Sequence, residues 1–301
     1  MKTCPLYLLI FISFVAALGA KEYRVYLLAG QSNMEGYGYV EELPEEYADF
    51  DGDVMIFHGN VADDDAERDG RGIWAPLSAG HGTGFRSDGV SNVLSDRFGP
   101  ELGFAKVLTS ENPDTPIALI KYAKGGSSLD AEAGRPWGNW AVDYGNGEGI
   151  NQYDHCLATI RYAFASRDID GDGETDTLTP AGILWMQGES DGHEIGPAYR
   201  YRENLQELMT LFRAALRDDE LPVVVGRISD SKNDPSGLVW EFGNVVRKQQ
   251  AAYCDEDANA SLVTSTDGYA YSDKWHYDSA GFVDFGEQFG RAMLELQGAG
   301  E

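Results

Sequence analysis

Continuous apolar runs of strand length alternate with longer amphipathic segments along most of this chain, and that alternation leaves few folds open. The runs are Arg24–Leu28, Asp53–Phe57, Ile117–Tyr122, Gly182–Met186, Pro222–Ile228 and Ser261–Thr264. They are apolar at nearly every position rather than at every second one, as strands covered on both faces are. Between them, Glu101–Leu108, Tyr153–Ala165, Ala198–Leu216, Val239–Tyr253 and Ser279–Leu296 are expected as helices. The pattern predicts an α/β chain, with a mostly parallel sheet between two helical layers. Gly59 to Arg97 is rich in Gly and Asp with little periodicity and is expected as a long irregular excursion. Ligands of such sheets bind beyond the carboxyl ends of the strands. The polar residues that follow each strand are therefore the candidates for chemistry.

The first twenty residues are set apart from the fold. A basic start at Lys2 precedes an apolar run from Leu6 to Leu18, and small residues at Ala16, Ala17, Gly19 and Ala20 lead into Lys21-Glu22. That is the three-part pattern of a secretory signal, and the run is short for a membrane span of about 20 residues. Residues 1–20 are expected as a signal peptide and 21–301 as one domain, secreted or periplasmic. No repeat or long Pro/Ser-rich linker divides the remainder.

The formal net charge is −27. A chain so acidic is a poor partner for nucleic acid or for an anionic membrane surface. After Cys4, only Cys156 and Cys254 remain, both on expected helices. Export permits a disulfide between them, and two free thiols are the alternative.

Four strand ends carry the candidate chemistry. The first runs into Gly30-Gln31-Ser32-Asn33-Met34, where a serine in a glycine turn can present its hydroxyl above the sheet and the N–H groups after it can face an oxyanion. The third ends in Lys124-Gly125-Gly126-Ser127, whose glycines allow close backbone approach. The fourth ends in Trp185-Met186-Gln187-Gly188-Glu189-Ser190-Asp191, with Gln187 able to aim an amide at the same oxyanion. Near the carboxyl end, Asp273 stands three residues before His276, a spacing that lets a carboxylate bond Nδ1 and fix the tautomer. A capping serine, a tight turn or a surface histidine would explain each motif singly.

Their order along the chain resembles the SGNH hydrolase superfamily, and in particular its carbohydrate esterase branch, which includes sialate O-acetylesterases and family 6 acetylxylan esterases. The matching segments are LLAGQSNMEG (27–36), FGPELGFAK (98–106), IKYAKGGSSL (120–129), WMQGESD (185–191) and DKWHYDSAG (273–281). The resemblance implies a flavodoxin-like sheet, with Ser32 as nucleophile, His276 as general base and Asp273 as its orienter. Glu189 is the second candidate for the acid. Ser32, Gly126 and Gln187 would form the oxyanion hole. The implied activity is removal of O-acetyl groups from acetylated xylan-type oligo- or polysaccharide, or from sialic acid, with no cofactor required. A non-catalytic carbohydrate-binding domain and a lipid or aryl esterase are the alternatives.

Three further patterns complete the reading. Gly188-Glu189-Ser190-Asp191-Gly192 fits the G-x-S-x-G elbow, with Asp230 and His276 available as partners, but no helix follows it directly. Asp168, Asp170, Asp172 and Asp176 match the first half of a calcium loop and are candidate ligands for a structural calcium ion; a solvated acidic turn is the other reading. Arg86, Trp137 and Trp140, with Tyr37 and Tyr39, are candidate sugar contacts, since Trp and Tyr present flat apolar faces with a polar edge.

Overall fold

The computed structural model describes residues 19–47, 50, 54–61, 69–134, 136–144 and 150–298. The expected signal peptide lies outside the described residues except for its last two.

The described residues form a seven-stranded sheet. Its strands are β1 (Glu22–Gly30), β2 (Val54–His58), β3 (Trp74–Pro76), β4 (Ile117–Ala123), β5 (Thr177–Met186), β6 (Val223–Gly226) and β7 (Ala260–Val263), in the order β7-β6-β5-β1-β4-β2-β3. All pairs are parallel except β2–β3. Without β2 and β3, the remaining five strands run in the flavodoxin-like order. β1, β4 and β6 are buried at nearly every position, which is why their sequences do not alternate.

The helices are α1 (Ser32–Glu35), α2 (Glu101–Glu111), α3 (Gln152–Ala165), α4 (Ile195–Leu216), α5 (Gly243–Glu256) and α6 (Ser279–Gly298). On one face α2 crosses α6 at glycines. A Cβ on Gly103 would come within 2.3 Å of the Val283 carbonyl oxygen, and one on Gly286 within 2.1 Å of the Pro100 carbonyl oxygen. On the other face, Trp140 packs edge-on against Trp185 of β5 and Phe212 of α4, and Tyr153 of α3 also meets Phe212.

Three elements depart from expectation. The excursion after β2 holds edge strand β3, too short to show a period, and the paired segments Arg86–Ser87 and Asn92–Val93. β5 begins five residues earlier than its apolar run and shifts register where Pro180, without an N–H, faces Val25. α5 starts at Gly243 rather than Val239, and in the turn before it the Asp230 carboxylate accepts the N–H groups of Val239 and Trp240. Cys156 is buried and Cys254 half-buried, and both are free thiols.

The chain leaves β1 toward β4 on one side and returns as β5 on the other, so the switch point of the sheet falls beside β1. Gly30, Ala123 and Met186 stand level in the register, and the three loops that follow them emerge side by side.

Candidate active site

Gly30 lets the first of these loops leave the sheet. It lies at φ +146°, and a Cβ there would sit 1.9 Å from the Met186 carbonyl oxygen. The Gln31 N–H then donates to that oxygen at 2.8 Å and turns the chain into α1, with Ser32 at its first position. The first N–H groups of a helix have no acceptor within it, so those of Ser32 and Asn33 face outward from the turn. Gly125 presses against Ser32: a Cβ on it would lie 3.2 Å from Ser32 Cβ. Its N–H is held at 2.6 Å by Glu35 Oε2. Gly126 follows at φ +77°, where glycine is favoured, and the turn is closed by the Ser127 N–H on the Lys124 oxygen rather than by Gly126.

Behind the turn lies a cation with no contact to water. Lys121 Nζ bonds Glu101 Oε2 at 2.7 Å, the His81 carbonyl oxygen at 2.8 Å and the Glu35 carbonyl oxygen at 2.9 Å, and both side chains of the ion pair are fully buried. The pair ties α2 to the end of α1. Beside it, His58 and His81 stack on Phe85, and burial pushes the His81 imidazole down to about 3.

The histidine arrives from the loop after β7. His276 Nδ1 lies 2.7 Å from Asp273 Oδ2, and Asp273 Oδ1 accepts the N–H groups of Trp275 at 2.6 Å and His276 at 2.8 Å. Partial burial works against the Asp273 carboxylate, but these bonds prevail and hold it below its usual range. The imidazole stacks on the Tyr37 ring with centroids 3.5 Å apart and planes 6° apart. Tyr37 Oη and Ser32 Cβ both border the Cβ position of Gly125, at 3.4 and 3.2 Å. Asn33 Nδ2 reaches the Trp275 carbonyl oxygen at 3.3 Å. Thus residues 32 and 276 are linked through both of their neighbours.

Several expected site residues are engaged otherwise. Gln187 is fully buried, and its Nε2 faces Asp191 Oδ2 at 2.6 Å, Gln31 Oε1 at 3.1 Å and the Ser127 carbonyl oxygen at 3.2 Å. Three acceptors exhaust its two hydrogens, so this amide braces the loops instead of facing an oxyanion. Glu189 is turned toward Asn33, while His276 Nδ1 belongs to Asp273. Trp140 is fully buried and donates from Nε1 to Ser127 Oγ at 2.9 Å, which excludes it as a sugar platform. Tyr39 lies under the Arg97 guanidinium. Arg86 is exposed on its short hairpin. Trp137 is 49% exposed, and its ring lies about where a Cβ on Gly126 would be, 2.9 Å away. The elbow reading fails: Ser190 has ordinary helical dihedrals, and its Oγ donates to the Gly126 carbonyl oxygen at 3.0 Å.

Three support residues were not read as such from the sequence, and Tyr37, taken there as a candidate sugar contact, is stacked on the histidine instead. Tyr37 shelves the histidine, Glu35 holds Gly125, and Asp191 accepts the N–H groups of Leu129 and Asp130 at 2.9 and 2.8 Å. Glu35 falls three residues after Ser32, one helical turn away, and that spacing was the available clue.

In the acidic loop, carboxylate oxygens of Asp168, Asp170 and Asp176 lie within 4.8 Å of one another, whereas Asp172 Oδ1 accepts the Glu174 N–H. Lys21 Nζ sits 3.1 Å from Asp170 Oδ2, and both Asp176 oxygens accept backbone N–H groups. Asp168 likewise accepts from Gly171 and Gly173.

Among the described residues, no helix is long and apolar enough to cross a membrane. No curated protein matches this chain. Among solved structures, a protein from Arabidopsis thaliana shares 20% identity with a TM-score of 0.61, over 91% of this chain and 98% of its own. A carbohydrate acetylesterase from Xanthomonas citri shares 19% identity with a TM-score of 0.62; the match covers 92% of this chain but only 57% of that one. NanS shares 15% identity with a TM-score of 0.58, over 94% of this chain and 99% of its own. At such identities these likenesses establish the fold. The sequence profile described as carbohydrate esterase, sialic acid-specific acetylesterase matches residues 22–295, nearly the whole described length. On that match the chain belongs to the sialic acid-specific acetylesterase family of carbohydrate esterases.

Proposed function

We propose that this protein is an exported serine esterase that removes O-acetyl groups from carbohydrate through an acyl-enzyme on Ser32. The observation that carries the reading is the convergence of three loops. The Ser32 turn, the Gly126 turn and the Asp273–His276 loop meet at the switch point of the sheet, with Tyr37 stacked on the imidazole and Asn33 reaching the Trp275 carbonyl oxygen.

The mechanism follows from the groups present. Asp273 on Nδ1 leaves Nε2 of His276 free to take a proton. Ser32 Oγ attacks the acetyl carbonyl as its proton passes to His276. The N–H groups of Ser32 and Gly126 receive the oxyanion, and one such donor contributes about 3–4 kcal/mol to the transition state. The sugar hydroxyl departs with the proton, and water then releases acetate from Ser32 by the same steps reversed. Mass spectrometry of acetylated xylan oligosaccharides and O-acetylated sialic acid, before and after incubation, tests the reading. Loss of acetyl mass supports it, and unchanged spectra for both with no turnover of 4-nitrophenyl acetate would leave a binding module.

Trp137 stands at the mouth of this site with half its surface in water. Its ring offers a sugar face a flat apolar platform with a polar edge. Trp137→Ala is expected to raise KM for acetylated oligosaccharide about tenfold and to leave 4-nitrophenyl acetate turnover unchanged. Equal losses on both substrates would instead mean that the ring shapes the Gly126 turn.

For the acidic loop we propose compensation by Lys21 rather than by calcium. A divalent ion on Asp168, Asp170 and Asp176 would have to displace the ammonium already beside Asp170. The melting temperature is expected to be the same in chelator and in millimolar calcium. A rise of several degrees with calcium overturns this.

A further inference from the structure

Behind Ser32, three buried polar atoms have no hydrogen-bond partner among the described residues: Asn33 Oδ1, Glu189 Oε2 and Gln187 Oε1. Two of them belong to one contact. Asn33 Nδ2 donates to Glu189 Oε1 at 2.8 Å, and both side chains are almost fully buried. The unmatched atoms are the amide oxygen of one residue and the second carboxyl oxygen of the other. If Glu189 is ionised, both are acceptors, and two acceptors cannot satisfy each other. Leaving a buried polar group unmet costs about 1–3 kcal/mol, more for a charge. A single proton on Oε2 supplies the missing donor and closes a ring of two hydrogen bonds between a carboxylic acid and a primary amide.

We propose that Glu189 works as the neutral acid, paired in this way with Asn33, and that the pair locks the nucleophile turn to the histidine loop. The second hydrogen of Asn33 Nδ2 provides the lock, because it reaches the Trp275 carbonyl oxygen at 3.3 Å. Asn33 follows the nucleophile and Trp275 precedes the base. Glu189 is thus a positioning residue that acts through Asn33. This role rests on the esterase reading above, but the protonation state does not.

The surroundings agree with a neutral acid. Asp191 stands two residues on in the same segment, Tyr201 faces it from α4, and Tyr271 and Tyr277 face it from the histidine loop, with their hydroxyls on Ser229 Oγ. None of these is a cation. Burial pushes the Glu189 carboxyl up to about 7; the Asn33 bond opposes this and Asp191 reinforces it. The neutral form therefore prevails below about 7, and the lock opens as pH rises through that value.

Glu189→Gln separates charge from geometry. Glutamine accepts from Asn33 on its oxygen and donates to Asn33 Oδ1 from its nitrogen, so it rebuilds the pair without titrating. The wild type is expected to show a bell-shaped kcat profile whose alkaline limb falls on the order of tenfold per pH unit. Glu189→Gln is expected to keep kcat near the wild-type maximum and to lose that limb. Glu189→Ala and Asn33→Ala are expected to lower kcat on the order of 10²-fold with KM little changed, as misplaced catalytic groups do. The independent readout is infrared difference spectroscopy between pH near 6 and near 9. In the wild-type minus Glu189→Gln double difference, which cancels Asp191, it should show one protonated-carboxyl band present near pH 6 and lost near pH 9. If Glu189→Gln is as inactive as Glu189→Ala, or if the band is absent near pH 6, the proposal fails. A wild type without esterase activity that still shows the band would instead remove the esterase reading and keep the acid–amide pair.

Discussion

Ser32→Ala is expected to lower acetyl release by about 10⁴-fold or more, the cost to a serine hydrolase of losing the nucleophile that we propose Ser32 to be. The fold should not suffer. The turn is held by backbone and by other side chains: Gln31 N–H on the Met186 oxygen, Glu35 on Gly125, and Lys121 on the Glu35 oxygen. The melting temperature is therefore expected to stay within a degree or two of the wild type, with oligosaccharide binding retained. His276→Ala should cost about as much, and the double variant little more, because residues that act as a unit are not additive. Steady-state kinetics on all three variants check this. Full activity in Ser32→Ala together with its loss in Ser190→Ala would reverse the assignment.

Glu101→Ala is expected to have the largest effect on stability. It strands the Lys121 ammonium in a site with no exposure to water, and removing one partner of a buried pair costs about 3–5 kcal/mol. For a domain of this size that is a fall in Tm on the order of 10 °C. Activity should fall with it even below the melting range, since Lys121 Nζ also holds the Glu35 carbonyl oxygen, and Glu35 holds Gly125. Replacing both partners with apolar residues, Lys121→Met with Glu101→Leu, should recover much of the stability, because no charge is then left buried. It should not recover the activity, because methionine at 121 cannot make the bond to the Glu35 carbonyl oxygen. Urea unfolding of the wild type and the two variants, followed by assay in dilute denaturant, measures both effects. A Glu101→Ala protein as stable as the wild type would show that Lys121 sheds its charge or finds water.

The parts of the fold legible in the sequence were those with strong local signals. β1, β4, β5 and β6 announced themselves as apolar runs because both of their faces are covered, and the helices between them by length and pattern. β3 was invisible because three residues show no period. The start of α5 was misplaced because residues 239–242, apolar enough to continue the helical pattern, form turns in which Val239 and Trp240 donate to Asp230 instead. The site divides along the same line. The pairing of Asp273 with His276 was legible because it is local, spanning a single turn. The engagements of Gln187 and Trp140 were not. Gln187 turns to acceptors on three segments, and Trp140 loses its face to Tyr122, Trp185 and Phe212, all set by tertiary packing. An aromatic residue in a loop reads the same whether it meets solvent, as Trp137 does, or the core.

The helix that follows the histidine loop has a practical bearing. α6 begins at Ser279, three residues after His276, and runs 20 residues to Gly298. At 1.5 Å per residue its far end stands roughly 30 Å away. Its glycine crossing with α2 fixes it rigidly to the body of the protein. A tether or dye attached on the last turn of α6, near Gly298, would stand roughly a helix length from the Ser32 turn, so the protein can be held there with that turn left open.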